Sequence, residues 1–160
     1  MVRDRIEVRW LGHTLVFDSI GHQLFLTYHP YWMINRKKDR HYLYCSHAAH
    51  KNIPFHRILL NHPDGDVDHK NHNGLDNRKE NLRHATRQQN SFNTRKRSNN
   101  TSGFKGVSYC KSTDKWVARI RIGNTYKNLG RFPTPEEAHA AYCLAGKQHM
   151  PEFFCDGTST

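Results

Sequence analysis

The chain has 160 residues and only 36% hydrophobic content, which suits one ordinary domain or two small ones and excludes a single large core. Lysine and arginine number 25 against 14 aspartates and glutamates, giving a formal charge of +11. That surplus favours a polyanionic partner through counterion release, with an anionic membrane surface as the weaker alternative. No apolar run approaches the roughly twenty residues of a membrane span, and no signal-peptide pattern opens the chain, so a cytoplasmic location is expected.

From residue 1 to about 50 the pattern reads as strands. Ile6 to Trp10 alternates, Leu15-Val16-Phe17 is a short apolar run, Gln23 to Tyr28 looks extended, and Tyr42 to Cys45 is a further strand. The polar stretch Asn35 to Arg40 suits a hairpin loop. Phe55 to Leu60 reads as strand or short helix, and Asn61-His62-Pro63-Asp64-Gly65 as a tight reversal. Asp68 to Asn77 is then dominated by Asp, Asn and His, a run that builds loops or a site rather than core. Lys79 to about Asn93 holds helix formers without Gly or Pro, with a thin apolar stripe at Leu82 and Ala85.

Thr94 to Thr101 has no apolar residue and reads as a basic linker. Beyond it, Gly103 to Tyr109, Trp116 to Ile122 and Tyr126 to Phe132 read as three strands, with turns at Ser112 to Lys115 and at Gly123-Asn124. Thr134-Pro135-Glu136-Glu137 announces a helix with Thr as N-cap, and Ala138, Ala141, Tyr142 and Ala145 form its small-residue face. Cys45, Cys110, Cys143 and Cys155 make no CxxC pair, so reduced thiols are expected in place of a disulfide framework or a zinc ribbon.

Phosphodiester hydrolysis needs an activated water, a cation on the phosphate and help for the departing oxygen. Asp68-His69 offers a carboxylate and an imidazole on adjacent residues, which at a strand end point to opposite sides. Hard oxygen donors such as Asp and Asn suit magnesium, which keeps several waters and takes few protein ligands. The stretch from His56 to Asn93, with Asp68-His69, Leu75-Asp76-Asn77-Arg78, Glu80-Asn81-Leu82-Arg83, Thr86 and Asn90, resembles the HNH nucleases, above all the homing endonucleases of phages and introns. The resemblance implies a ββα-metal fold in which Asp68 and Asn90 bind a divalent metal and His69 is the general base. It implies that Asn81 orients His69 or braces the loop. The metal would be magnesium, with manganese as the substitute and no zinc. Asn90 stands where much of the family has His, a departure common in this branch. Nine residues separate Asn81 from Asn90, opposite faces of one helix, so both serve one site only if Asn81 sits at or before the helix start. His56 fits a structural role at least as well as a catalytic one, and His62 and His72 read as loop histidines rather than ligands.

Ser102-Gly103-Phe104-Lys105-Gly106-Val107, Lys115 to Arg121, Leu129-Gly130-Arg131-Phe132, Glu136-Glu137-Ala138 and Ala141-Tyr142 resemble the DNA-binding domain of plant APETALA and ethylene-response factors. That resemblance implies a three-stranded sheet in the major groove with a helix behind it. Alternation puts Trp116, Ala118, Ile120 and Ile122 on the face under the helix and Val117, Arg119 and Arg121 on the other. Ser108 and Cys110 on the first strand, and Tyr126 and Asn128 on the third, should line the Arg119 face. The plant pattern has more Arg and Trp at those places, so the plant target sequence does not carry over.

The expected architecture is α+β: a nuclease domain over 1–94 with its ββα-metal core at about 53–93, a basic linker 95–101, and a sheet-plus-helix domain over 102–155. The expected function is a metal-dependent DNA endonuclease on double-stranded DNA, with Arg95, Lys96 and Arg97 on phosphates between the two footprints. No membrane or small-molecule cofactor is called for. One site cuts one strand, so a monomer nicks, and a double-strand break takes a dimer or two visits. The alternative is a non-catalytic DNA-binding regulator that keeps the HNH fold; an RNA ligand is weaker, since no RNA-recognition motif is visible.

Overall fold

The computed structural model describes residues 4–28, 32–37, 40–46, 52–61 and 64–158. Among the described residues it is a mixed α/β structure of several small sheets and four helices, in two units, Met1–Thr86 and Arg87–Thr160.

The first unit opens with an antiparallel hairpin of β1 (Ile6–Trp10) and β2 (His13–Phe17). Its two-residue turn puts Leu11 at φ 48° and Gly12 at φ 80°, the left-handed pair that a right-twisted hairpin favours. Helix α1 (Ser19–Thr27) follows, where the sequence suggests extended chain at Gln23 to Tyr28. The reason is local: the Asp18 side chain caps the helix by accepting the Gly21 N–H at 2.8 Å. The buried positions Gly21 and Phe25 then lie four apart, a helical spacing that the continuous run Leu24-Phe25-Leu26 conceals.

Strands β3 (Trp32–Lys37), β4 (Arg40–Cys45) and β5 (Ile53–Pro54) form an antiparallel sheet in that order. Lys37 pairs with Arg40, so the polar stretch Asn35 to Arg40 is mostly strand and not loop; residues 38 and 39 lie outside the described residues. Helix α2 (Phe55–Leu59) settles the ambiguous patch as helix. Of the reversal after it, residues 62 and 63, His62 included, lie outside the described residues, while Asn61 and Gly65 take φ 57° and 80°.

Strand β6 (Asp66–His69) pairs antiparallel with β7 (Leu82–Ala85), and a 3₁₀ turn at Lys79–Asn81 leads into β7. The continuous helix expected over Lys79 to Asn93 is therefore corrected. Leu82 and Ala85 are buried as hairpin residues, not as a helical stripe, and helix begins only at Arg87. Pairing with β6 outweighs the helix propensity of this segment. Val16 joins the hairpins by donating to the Leu75 carbonyl at 2.9 Å and accepting from Asn77 N–H at 2.7 Å. Behind them a core of Leu15, Phe17, Phe25, Leu43, Phe55 and Leu75 is organised by Phe17, whose ring lies 5.2 Å from Phe25 and 5.3 Å from Phe55.

The second unit starts with α3 (Arg87–Phe92), followed by β8 (Val107–Cys110), β9 (Lys115–Ile122), β10 (Thr125–Phe132) and α4 (Pro135–His149). The sheet is antiparallel with β9 in the centre. Its first strand begins at Val107 rather than Gly103, because Gly103 and Gly106 sit at φ 78° and 77°, a conformation extended chain does not take. Thr134 caps α4 as expected, its hydroxyl accepting the Glu137 N–H at 3.2 Å. Ala138 packs with Val107 and Ala118, flanked by Trp116, Leu129 and Phe132. At Gly106 a Cβ would stand 2.1 Å from the Tyr142 ring, so only glycine admits this approach.

Candidate functional site

His69 ends β6, buried, and the side chains of His56, Tyr42 and Asn77 lie beside its imidazole. The His56 ring of α2 meets it edge-on at 4.9 Å between centroids, and the Tyr42 ring of β4 lies at 5.9 Å. The Asn77 carboxamide places Oδ1 3.4 Å from His69 Nε2. If that nitrogen carries the proton and donates to Oδ1, Nδ1 is the basic nitrogen of the ring. His56 is held neutral: burial, then the charges of His69 and Arg57, push its pKa down to about 3. It serves His69 as an uncharged wall.

Asn77 is the residue that sequence reasoning missed. It is fully buried, and among the described residues its Nδ2 has no hydrogen-bond partner, an arrangement that costs roughly 1–3 kcal/mol. A polar group kept at that cost directly beside an imidazole is a candidate for positioning it. The signal was present in the Asp76-Asn77-Arg78 element, but only as part of a pattern, without a place in space.

Asn81, the residue expected to orient His69 or brace the loop, has contacts of the second kind. Its Oδ1 accepts the Asn71 N–H at 3.1 Å and its Nδ2 donates to the Asp76 carbonyl at 2.7 Å. Asp76 adds a second layer: its carboxylate accepts from Arg78 Nε at 2.9 Å, Arg78 Nη2 at 2.7 Å and Asn71 Nδ2 at 2.8 Å. Burial alone would push the Asp76 carboxyl up, but the bonds and charge of Arg78, with help from Asn71, hold it below the usual carboxylate range. Gly74 closes the loop against β4, where a Cβ would come within 2.4 Å of the His41 carbonyl oxygen. The loop that carries Asn77 is thus fixed from both ends.

Asp68 has a different neighbour. Arg83 stands directly opposite it in the β6–β7 register, and Arg83 Nε and Nη2 approach Asp68 Oδ2 at 2.8 and 2.7 Å. The structure therefore groups His69 with His56, Tyr42 and Asn77, and Asp68 with Arg83. Asn90 lies half-buried on α3, in the second unit. Among the described residues no cluster of three His, Cys, Asp or Glu side chains could hold a metal ion. A carboxylate plus a carboxamide fits a hard, mostly hydrated cation by ligand type, but the Arg83 cation already shares the Asp68 oxygen that such an ion would seek. His72 is half-buried in the loop at φ 63°.

In the second unit, Ser108, Arg119, Tyr126, Asn128 and Arg97 line one open depression of about 650 Å³ on the sheet. Register explains the gathering, since Arg119 pairs with Asn128 and Arg121 with Tyr126. The Arg121 guanidinium lies 5.9 Å from the Tyr126 ring centroid, a cation–π distance. Asn128 Oδ1 accepts the Gly130 N–H at 3.2 Å across a bulge, which turns its Nδ2 into the atom on offer. Cys110 stands at the strand end opposite Lys115, half-buried. Val117, expected on this exposed face with the arginines, is buried instead. Arg95 and Lys96 line a smaller notch together with Arg97.

Residues 61–92 match the family model of the HNH endonucleases, and residues 102–148 match that of the AP2 domain. The first match covers the β6–β7 hairpin and α3; the second covers the three-stranded sheet and nearly all of α4. An uncharacterized HNH endonuclease of Acanthamoeba polyphaga mimivirus is 38% identical over 87 residues, 54% of this chain. The alignment spans 44% of that relative's length. No solved structure matches the chain. Among the described residues no helix is long and apolar enough to cross a membrane.

Proposed function

We propose that the chain is a metal-dependent DNA endonuclease of the homing type, with a ββα-metal nuclease head and a sheet-based reader. The reading is carried by His69, a buried imidazole at a strand end, within the HNH match and beside Asn77. His69 Nδ1 takes a proton from water as that water attacks the phosphorus of a backbone phosphodiester; the bond from phosphorus to the 3′ oxygen breaks, and the departing oxygen takes a proton from solvent. Asn77 holds the ring through Nε2, while Tyr42 and His56 limit its rotation. Asp68 and Asn90 are the residues that would hold a divalent cation, magnesium or manganese. When bound, such an ion supplies positive charge to the phosphate and its departing oxygen. The products carry 5′-phosphate and 3′-hydroxyl ends. In the reader, Arg119 and Arg121 donate to guanine edges or phosphates, with Ser108, Tyr126 and Asn128 beside them.

The test is nicking of supercoiled plasmid by purified protein with magnesium and with EDTA. We expect metal-dependent nicking that falls by about 10²–10⁴ in His69→Ala, with a comparable fall in Asp68→Ala. One observation favours a second reading: Asp68 is already paired with Arg83. A carboxylate committed to that pair suits a DNA-binding regulator that keeps the fold without cutting. DNA binding with no nicking by the wild-type protein would establish that alternative.

A further inference from the structure

The segment 94–101 carries Arg95, Lys96 and Arg97 and has the composition of a solvated spacer. In the structure it is folded onto the second unit. Lys96 Nζ donates to the Gly103 carbonyl at 3.2 Å, Asn100 Nδ2 to the Phe104 carbonyl at 2.9 Å, and Asn100 N–H to the Arg97 carbonyl at 3.0 Å. Gly157 also comes close to it: a Cβ there would stand 3.4 Å from the Lys96 backbone nitrogen. Ordering chain costs conformational entropy, a cost that a mere spacer has no need of.

Two depressions adjoin here. The larger, about 650 Å³, is the sheet-face basin of Ser108, Arg119, Tyr126 and Asn128. The smaller, about 240 Å³, is lined by Arg95, Lys96, Arg97 and Lys105 with Asn99 and Asn100. Arg97 and Gly106 border both, and among the described residues no carboxylate lines either one. At about 30 Å³ per water, the smaller has space for a tetrahedral phosphate and several of its waters. Cations and carboxamide groups around such a notch match a phosphodiester, and its neighbour offers donors to base edges.

We propose that the 94–101 strap is a phosphodiester seat belonging to the reader itself: one DNA strand's backbone lies in the notch while bases of the adjoining steps face the sheet. The proposal rests on the reading of the second unit as a DNA reader and deepens it. The strap then extends the reader's footprint by two or so phosphates beyond the sheet, in place of bridging separate footprints.

The test uses the full chain in EDTA and a fluorescent mixed-sequence DNA duplex of about 30 base pairs, titrated in KCl between about 50 and 300 mM. The variants are Arg97→Gln, the triple Arg95→Gln/Lys96→Gln/Arg97→Gln, Arg119→Ala, and Lys147→Gln on α4 as a charge control; thermal melts confirm folding. Every phosphate left without its cation flattens log K against log salt by about 0.9. We expect flattening by about one for the single variant and about two to three for the triple, the same on unrelated duplexes, and none for Lys147→Gln. Unchanged slopes in the strap variants, with binding weakened by Arg119→Ala, would make the strap a spacer and overturn the proposal. Unchanged binding in Arg119→Ala as well would remove the reader beneath it. Tighter binding of the matching RNA duplex, with the same slope changes, would reassign the seat to RNA and overturn it as a DNA site.

Discussion

Replacing Arg78 with Leu strands a carboxylate. Asp76 is 3% exposed and loses two hydrogen bonds at once, from Nε at 2.9 Å and from Nη2 at 2.7 Å, together with the attraction of the guanidinium charge, and among the described residues it keeps only Asn71 Nδ2 and a backbone N–H at 3.4 Å. Removing one partner of a buried ion pair costs about 3–5 kcal/mol, because the remaining charge is left desolvated. Asp76→Asn/Arg78→Leu removes that charge too and should recover most of the loss, leaving about 1–2 kcal/mol. The pH dependence separates this cause from weakened packing. In the wild type the Asp76 pKa is lowered, so its contribution is full above the ordinary carboxylate value and fades only below it. In Arg78→Leu burial outweighs the two remaining bonds and raises that pKa, so the native variant binds a proton more readily than the unfolded chain. Its stability therefore falls as pH rises from about 5 to 7.5, by up to about 1.4 kcal/mol per unit of raised pKa. Urea unfolding of all three proteins at both pH values measures it, with the histidine contribution common to all cancelling in the differences. A loss below about 1 kcal/mol, or one independent of pH, would refute the stranded-carboxylate account.

Other substitutions separate the remaining elements. Asn77→Leu removes an orphaned buried donor together with the His69 partner; unfolding stability should hold or rise by about 1 kcal/mol while nicking falls tenfold or more. A loss of both in urea melts and plasmid assays would make Asn77 purely structural. Gly106→Ala puts a Cβ against the Tyr142 ring at a left-handed backbone position, and should cost about 2–5 kcal/mol in thermal unfolding of the second unit. Lys105→Met loses ammonium bonds to the Phe92 carbonyl at 2.8 Å and the Cys155 carbonyl at 2.9 Å, a net cost of about 1–2 kcal/mol after relief of the buried charge. Burial lowers the Lys105 pKa, so between that value and the ordinary lysine value the unfolded chain holds more protons. Its contribution to wild-type stability should rise with pH through that window, and the variant should lack the rise when urea melts at pH 8 and 10 are compared.

The second unit was largely legible because its strands alternate and its helix carries an explicit cap: β9, β10 and α4 follow Trp116 to Ile122, Tyr126 to Phe132 and the Thr134 signal closely. The first unit was less so. Helix α1 depends on one capping bond from Asp18, and its buried residues are masked by exposed Leu26 beside Phe25. The segment Leu82–Ala85 has a helical composition and becomes strand through its partner β6, information that no local window contains. The adjacency of Asp68 and His69 was visible, but their different neighbours were not. Arg83 is fourteen positions beyond His69, and His56 thirteen before it; only the register and α2 bring each to its place.

The tail after α4 sets the size of what can be transplanted. Cys155 donates its N–H to the Phe92 carbonyl at 3.1 Å, and Lys105 ties the same carbonyl to Cys155. A graft limited to residues 102–148 would discard both acceptors together with the tail that covers the lysine. A module cut from 87 to 158 keeps the closure, so the piece that can be moved intact is wider than the stretch matched by the AP2 family model.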